Sequence, residues 1–286
     1  LEEKERVLSG SPRHPEYRFQ LAFSCLGYAR LLDSMGRPSE SVDRWTRALA
    51  LSEGLASDFP SVPTYPAIYV ECGHALSNHL VKCGREKEAE DVFLRMLERH
   101  QRRLDSSPPD PKDRWLLAVI HEGYGDVLTN VNRAEPASQQ FAKAIPIMED
   151  LVERRPGELW YHLTYASVLQ KQAKGMLRSG QVREARQLVL RAIDQGKKGA
   201  SLAHAADPVQ REALKNWLNG MAWFLVTDGS SASPPPRDAV EMAQVAVRLG
   251  PTEGRFWNTL GVAQYYAGDY AAARTSLEKS MELQSG

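Results

Sequence analysis

The chain has 286 residues, and Lys+Arg and Asp+Glu are equal at 36 each, so its formal net charge is zero. That balance argues against a nucleic-acid binder, a polybasic membrane patch or an acidic tail. A composition of 42% hydrophobic and 25% charged residues belongs to a folded chain and not to a disordered one.

Cys25, Cys72 and Cys83 are odd in number and form no closely spaced pair. A disulfide framework or zinc site is therefore not expected, and the usage fits a reducing, cytoplasmic compartment. The longest apolar stretch, Trp217 to Val226, is interrupted by Asn219 and Gly220 and is about half of the ~20 residues that a membrane span needs. No membrane insertion and no signal peptide are expected.

In chain order, residues 1–14 read as the end of a preceding helix and a linker. The opening Leu1-Glu2-Glu3-Lys4-Glu5-Arg6-Val7-Leu8 has the texture of mid-helix, so a fragment of a longer protein is expected. Residues 15–206 follow a repeat. Pro12, Pro60, Pro108 and Pro156 recur at intervals of 48 (60−12), as do Pro15, Pro63 and Pro111. Gly36, Gly84, Asn132 and Gly180 keep the same interval, and Arg37, Arg85 and Arg133 follow the first three directly. Gly or Asn tolerates the left-handed conformation that ends a helix, and Pro favours the first turn of the next.

After each turn comes a small residue: Ser41, Ala89, Ala137 or Ala185. Four residues on stands a bulky one: Trp45, Phe93, Phe141 or Val189. Ala48, Met96, Ala144 and Ala192 come three further on. These offsets trace one apolar helical stripe, the predicted core. Each unit is thus two helices joined by a tight turn, and four such units fill 15–206.

Residues 207–286 shorten the period. Ala239, Ala243 and Ala246 recur as Ala273, Leu277 and Ser280, an interval of 34 (273−239). Asp207-Pro208 reads as an N-cap and first helical turn. The polar, proline-rich stretch 227–236 reads as a loop between the two helices of the fifth unit.

The last unit carries Trp257, Leu260, Gly261, Ala263, Gly268, Tyr270 and Ala273, with Pro251 ahead of it. On these residues the chain resembles the tetratricopeptide repeat family, departing from its pattern at Gln264 and Ser280. Setting Gly36 on Gly268 brings Ala29, Ser77, Gly125 and Ala173 to the small first-helix position, and Leu32, Leu80, Leu128 and Met176 to a core position. The long units then read as the same motif with lengthened helices. The resemblance implies an all-α, right-handed superhelical solenoid of antiparallel helix pairs, with four units of 48 residues followed by two shorter ones.

No catalytic constellation stands out. His121-Glu122 lacks the second His of a zinc-protease helix, and Gly196-Lys197-Lys198-Gly199 lacks the Lys-Ser/Thr ending of a phosphate loop. His74 and His79 are five apart and fall on different helix faces. No cofactor and no metal are expected. The enzymatic alternative is a helical-repeat enzyme using His74, His121 and Glu122 as acid–base groups.

The resemblance also implies that first helices line a concave groove. One groove column holds Arg30, Asn78, Asp126 and Lys174. Leu26, His74, Glu122 and Gln170 lie four residues earlier, and Ser34, Lys82, Asn130 and Arg178 four later; Asn258 joins them from the last unit. The alternating charges point to a mixed-charge peptide or a partner's loop, and not to nucleic acid. Leu26 stands where clamps for C-terminal carboxylates carry Lys, so chaperone tails are not the expected ligand.

A non-catalytic protein–protein interaction scaffold is the expected function. Gly36-Arg37-Pro38-Ser39-Glu40, Arg47-Ala48-Leu49-Ala50-Leu51 and the closing stretch from Glu253 to Ala263 are similar to repeats behind large bacterial serine/threonine kinases. That similarity implies a regulatory or recruiting region of a larger protein. The other reading is self-association through the first repeat or the last helix, giving a homo-oligomer.

Overall fold

The computed structural model describes residue 6 and residues 14–62, 64–106, 110–227 and 236–284. The helix end expected over 1–14 therefore lies outside the described residues, except for Arg6 and His14. So do Pro12, Pro63, Pro108 and all of the proline-rich stretch except its two end residues.

The described residues form twelve α-helices and no strand. They are α1 (Pro15–Ser34), α2 (Pro38–Asp58), α3 (Thr64–Lys82), α4 (Glu86–Ser106), α5 (Pro111–Asn130) and α6 (Ala134–Arg154). Then come α7 (Leu159–Arg178), α8 (Val182–Ser201), α9 (Pro208–Thr227), α10 (Pro236–Leu249), α11 (Gly254–Tyr266) and α12 (Tyr270–Gln284). Odd-numbered helices are the first of each pair and even-numbered ones the second.

Five of the six pairs are closed by one recurring device. Gly36, Gly84, Gly180 and Gly268 have φ of 70°, 72°, 79° and 84°, and Asn132 sits at 59°. The following amide then reaches back five residues: Arg37 N–H donates to Leu32 O at 2.9 Å, Arg85 to Leu80 at 2.8 Å and Arg133 to Leu128 at 2.8 Å. Such left-handed caps stop a helix and reverse the chain. At α9 the start is a reciprocal box. Gln210 N–H donates to Asp207 Oδ1 at 2.8 Å, and Asp207 N–H to Gln210 Oε1 at 3.1 Å.

The chain forms two compact units, residues 1–140 and 141–286. In the first, successive helices from α1 to α5 pack on one another, and α3 also touches α5. Trp45, Phe93, Ala48 and Met96 are buried there, so the small-and-large stripe is the core that alternation predicts. In the second, α7 pairs with α8, α9 with α10 and α11 with α12, while α9 touches both α7 and α11. Val189, Leu169, Leu214 and Phe256 fill its interior.

Glycines let large side chains lie against helix backbone. A Cβ on Gly123 would stand 2.4 Å from the His74 ring, and one on Gly196 2.2 Å from the Trp217 ring. Gly196 and Gly199 thus serve helix packing inside α8. Beside them Lys197 pairs with Asp238 at 2.9 Å and Glu241 at 2.8 Å, tying α8 to α10.

The two departures from the repeat pattern are satisfied inside the last pair. Ser276 Oγ donates to Gln264 Oε1 at 2.7 Å, and Ser280 Oγ donates to Gly254 O at 2.8 Å, all buried. Two polar residues with partners cost little in a core.

Candidate functional site

The candidate surface is the outward face of the first helices, and it is built separately in each unit. In residues 1–140 the contributors are α1, α3 and α5. Arg30 is exposed on α1 and pairs with Glu71 of α3 at 3.2 Å. Both side chains are more than half exposed, so the pair is worth little to stability. Asn78, Lys82 and Asn130 are exposed, whereas Glu122 and Asp126 are half-buried.

One column differs from the rest. Leu26 is buried, and the half-buried His74 lies against Gly123 with its ring 5.2 Å from that of Phe93. These two side chains work as packing between repeats. His121, expected beside Glu122 as an acid–base partner, is buried, and its Nδ1 meets Gln140 Oε1 at 2.9 Å. His74 and His121 are thus turned toward different neighbours.

Around this face the titrating groups serve structure. The Tyr124 hydroxyl donates to Glu90, and Arg133 adds a contact to the same carboxylate at 2.6 Å. The Tyr124 hydroxyl, more than the arginine, holds Glu90 below the usual carboxylate range. Burial pushes the Cys72 thiol up to about 12 and the Tyr69 hydroxyl, under the Arg99 guanidinium, to about 12. Tyr28 and Tyr124 share one repeat column and Tyr69 and Tyr165 another; Tyr69, Tyr124 and Tyr165 are buried as packing, and Tyr28 is exposed, under Arg44.

Two histidines set a pH dependence. His79 stacks on Trp45 and meets Asp33 Oδ2 at 2.8 Å, with Lys82 nearby; burial nonetheless lowers its pKa. His100, whose Nε2 meets the Asp113 carbonyl at 2.6 Å, faces Arg103 and Arg99 and is likewise lowered by burial. In the unfolded chain each takes up a proton near pH ~6.5, whereas folded each resists until lower pH. The unfolded state therefore binds more protons in that window, and stability is lost as pH falls below it. The melting temperature is expected to drop between pH of about 7.5 and 5.5, and to drop less in a His100→Gln variant. Equal slopes for both proteins would remove His100 from the account.

In residues 141–286 the face comprises α7, α9 and α11. Gln170 and Lys174 are half-buried, Arg178 is exposed and Asn258 is half-buried. The structure adds residues that sequence reasoning missed. Leu218-x2-Met221-Ala222-x2-Leu225 on α9 stands in the register of Trp257-x2-Leu260-Gly261-x2-Gln264 on α11. Asn219 and Trp223 therefore share the columns in which the sequence places the groove, and so does Tyr266 on α11. The signal was present, but the insertion after residue 227 breaks the spacing by which columns are counted.

Three cavities of about 580, 550 and 620 Å³ open elsewhere among the described residues, beside Glu88, Arg191 and Arg99 respectively; no groove column lines them. No group of three or more His, Cys, Asp or Glu side chains among the described residues could hold a metal ion. No helix of the described residues is long and apolar enough to cross a membrane.

Antiparallel helix pairs, joined by left-handed turns and stacked through small-on-large columns, define an all-helical repeat scaffold similar in fold to tetratricopeptide-like solenoids. No family model matches the chain. A TPR repeat-containing protein of Pseudomonas aeruginosa is 31% identical over 149 residues, 52% of this chain. The match spans 56% of that relative, so the chain covers little more than half its length. The crystal structure of BtubC (BKLC) from P. vanneervenii is similar in fold, with a TM-score of 0.57 at 14% identity over 87% of this chain and 91% of that one.

Proposed function

We propose that the chain is a non-catalytic, cytoplasmic interaction module that holds an extended segment of a partner protein on its first-helix faces. The observation that carries this reading is the exposed polar set Arg30, Asn78, Lys82, Asn130 and Arg178, repeated at two registers one helical turn apart, above apolar columns that are buried. A preformed helical face binds with little ordering cost. Asp126 and Lys174 are half-buried and engaged within the protein, so charge reversal there would disturb the fold as well as the surface. The test therefore uses Lys82→Glu and Arg178→Glu. Affinity capture from lysate should recover a partner with the wild-type chain and lose it with the double variant. Identical catches from both proteins would count against the groove.

The similarity of its repeats to those behind bacterial serine/threonine kinases makes a recruiting region of such an enzyme our reading of the larger protein. Sequencing the gene upstream of Leu1 tests it, and a reading frame without a kinase-like domain would sink it.

Self-association is a second reading, favoured by one observation. Tyr17, Tyr28, Leu31 and Met35 are exposed along one stripe of α1. Leu76 on α3 and Tyr124 on α5, which share the column of Tyr28, are buried. Apolar surface of this kind marks contact sites. Sedimentation velocity should then show mass rising with concentration, and Leu31→Glu should abolish the rise. A monomer at all concentrations would dismiss this reading.

A further inference from the structure

The face of residues 141–286 differs in chemistry from that of residues 1–140, and the difference selects a ligand. Arg255 Nη2 donates to Asn216 Oδ1 at 2.7 Å, joining the first turn of α11 to the middle of α9. Steps of one helical turn climb from Asn216 to Asn219 and Trp223, and from Arg255 to Asn258, Val262 and Tyr266. On α7, which packs on α9, the matching positions are Gln170, Lys174 and Arg178.

Read across the three helices, the lower row is Gln170, Asn219 and Asn258, all carboxamides. Above it stand Lys174 and Arg178, then Trp223, 43% exposed, and Tyr266, 59% exposed. These positions hold cations, amides and aromatics and no carboxylate, whereas the other unit places Glu122 and Asp126 on its face.

Resting on the groove reading above, we propose that this face binds an extended peptide in which an apolar side chain stands next to an acidic one. A carboxamide offers one acceptor and two donors, which suits the C=O and N–H of a peptide main chain. Asn219 Oδ1 is turned into the protein and finds no hydrogen-bond partner there, so rotating the amide to bring that oxygen to a peptide N–H breaks no internal bond through it. Neighbouring helices lie ~8–10 Å apart, and polyproline-II chain rises ~3.1 Å per residue with three residues per turn. Every third residue of such a peptide would thus present its main chain to the next carboxamide in the row. Trp223 and Tyr266 supply apolar surface for a side chain between them, with rings that lose little entropy on binding. Arg178 supplies a bidentate partner for a carboxylate. A nucleic acid would ask for a basic track along the whole face, whereas above the Asn216–Arg255 pair the cations stand only on α7.

The test is fluorescence anisotropy on the intact chain with fluorescein-labelled peptide pools of about nine residues, long enough to cross three helices. One pool pairs Leu, Tyr or Pro with Asp or Glu; a second carries Lys or Arg in place of the acids; a third probe is oligouridine. The acidic–apolar pool should bind best. Trp223→Ala should weaken it at least about tenfold, while Trp223→Phe keeps most of the affinity and shows that the fold is intact. Arg178→Glu should weaken it by about fivefold at low salt and less at high salt. Asn78→Ala, on the other unit, should leave it unchanged. Preference for the basic pool or for oligouridine overturns the proposal. So does binding that ignores Trp223→Ala but is lost in Asn78→Ala, although the general groove reading then survives. Loss of captured partner in Lys82→Glu alone, with no pool bound, overturns the proposal in the same way. No pool bound and no groove-dependent capture removes both.

Discussion

Phe93→Ala is expected to lower the unfolding free energy by about 3–5 kcal/mol, the usual cost of deleting a fully buried aromatic ring. Phe93 on α4 has no solvent exposure. Its ring stacks on Tyr124 of α5 at 5.4 Å and 11°, and lies 5.2 Å from the His74 ring of α3. Three helices from two repeats therefore meet at one side chain, and the cavity left by truncation has rigid walls on every side. The neighbours hold each other: Phe93 seats Tyr124, and the Tyr124 hydroxyl donates to Glu90. Urea unfolding followed by far-UV circular dichroism should show a lower midpoint at an unchanged slope. A loss under about 1.5 kcal/mol would mean that the site collapses around the gap, and that this junction is looser than its geometry indicates.

Gly261→Val is expected to cost about 2–3 kcal/mol, and Gly220→Ala to stabilise by about 0.5–1 kcal/mol. The two glycines sit in neighbouring first helices, and intrinsic propensity treats them alike, since either replacement removes backbone freedom in a helix. Their surroundings decide the sign. A Cβ at Gly261 would stand 2.7 Å from Leu277 Cγ and 3.1 Å from the Ala273 carbonyl oxygen. The leucine could turn, but the carbonyl belongs to the backbone of α12 and can move only with the helix. At Gly220 nothing lies within 4 Å of the added atom. There the gain in helix propensity stands unopposed. Thermal melts of both variants decide the matter, and a stabilised Gly261→Val would show that α11 and α12 approach less closely than the structure has them.

The helix pairs were legible in the residues because their causes are local. A residue able to take positive φ ends five of the six first helices, and Gly36, Gly84, Asn132, Gly180 and Gly268 announce it. The offsets from Ser41 to Trp45 to Ala48 put an apolar stripe on the next helix, whatever it packs against. Which first-helix residues share a column follows from the same counting along a helix.

Exposure within those columns was not legible. Leu26 and His74 share a column with Glu122 and Gln170, yet Leu26 is buried and His74 lies on Gly123, because a neighbouring repeat covers that level of α1 and α3. Gln264 and Ser280 looked like departures from a repeat pattern, and proved to be buried groups with partners on the opposite helix. Asn219 and Trp223 were passed over because counting fails across an insertion, whereas helix packing resumes its register on the far side. Periodicity along a chain depends on φ and ψ, which each residue and its near neighbours govern. Which polar side chain reaches solvent, and which one fills a gap between repeats, depends on residues about 48 positions away, and only their packing settles it.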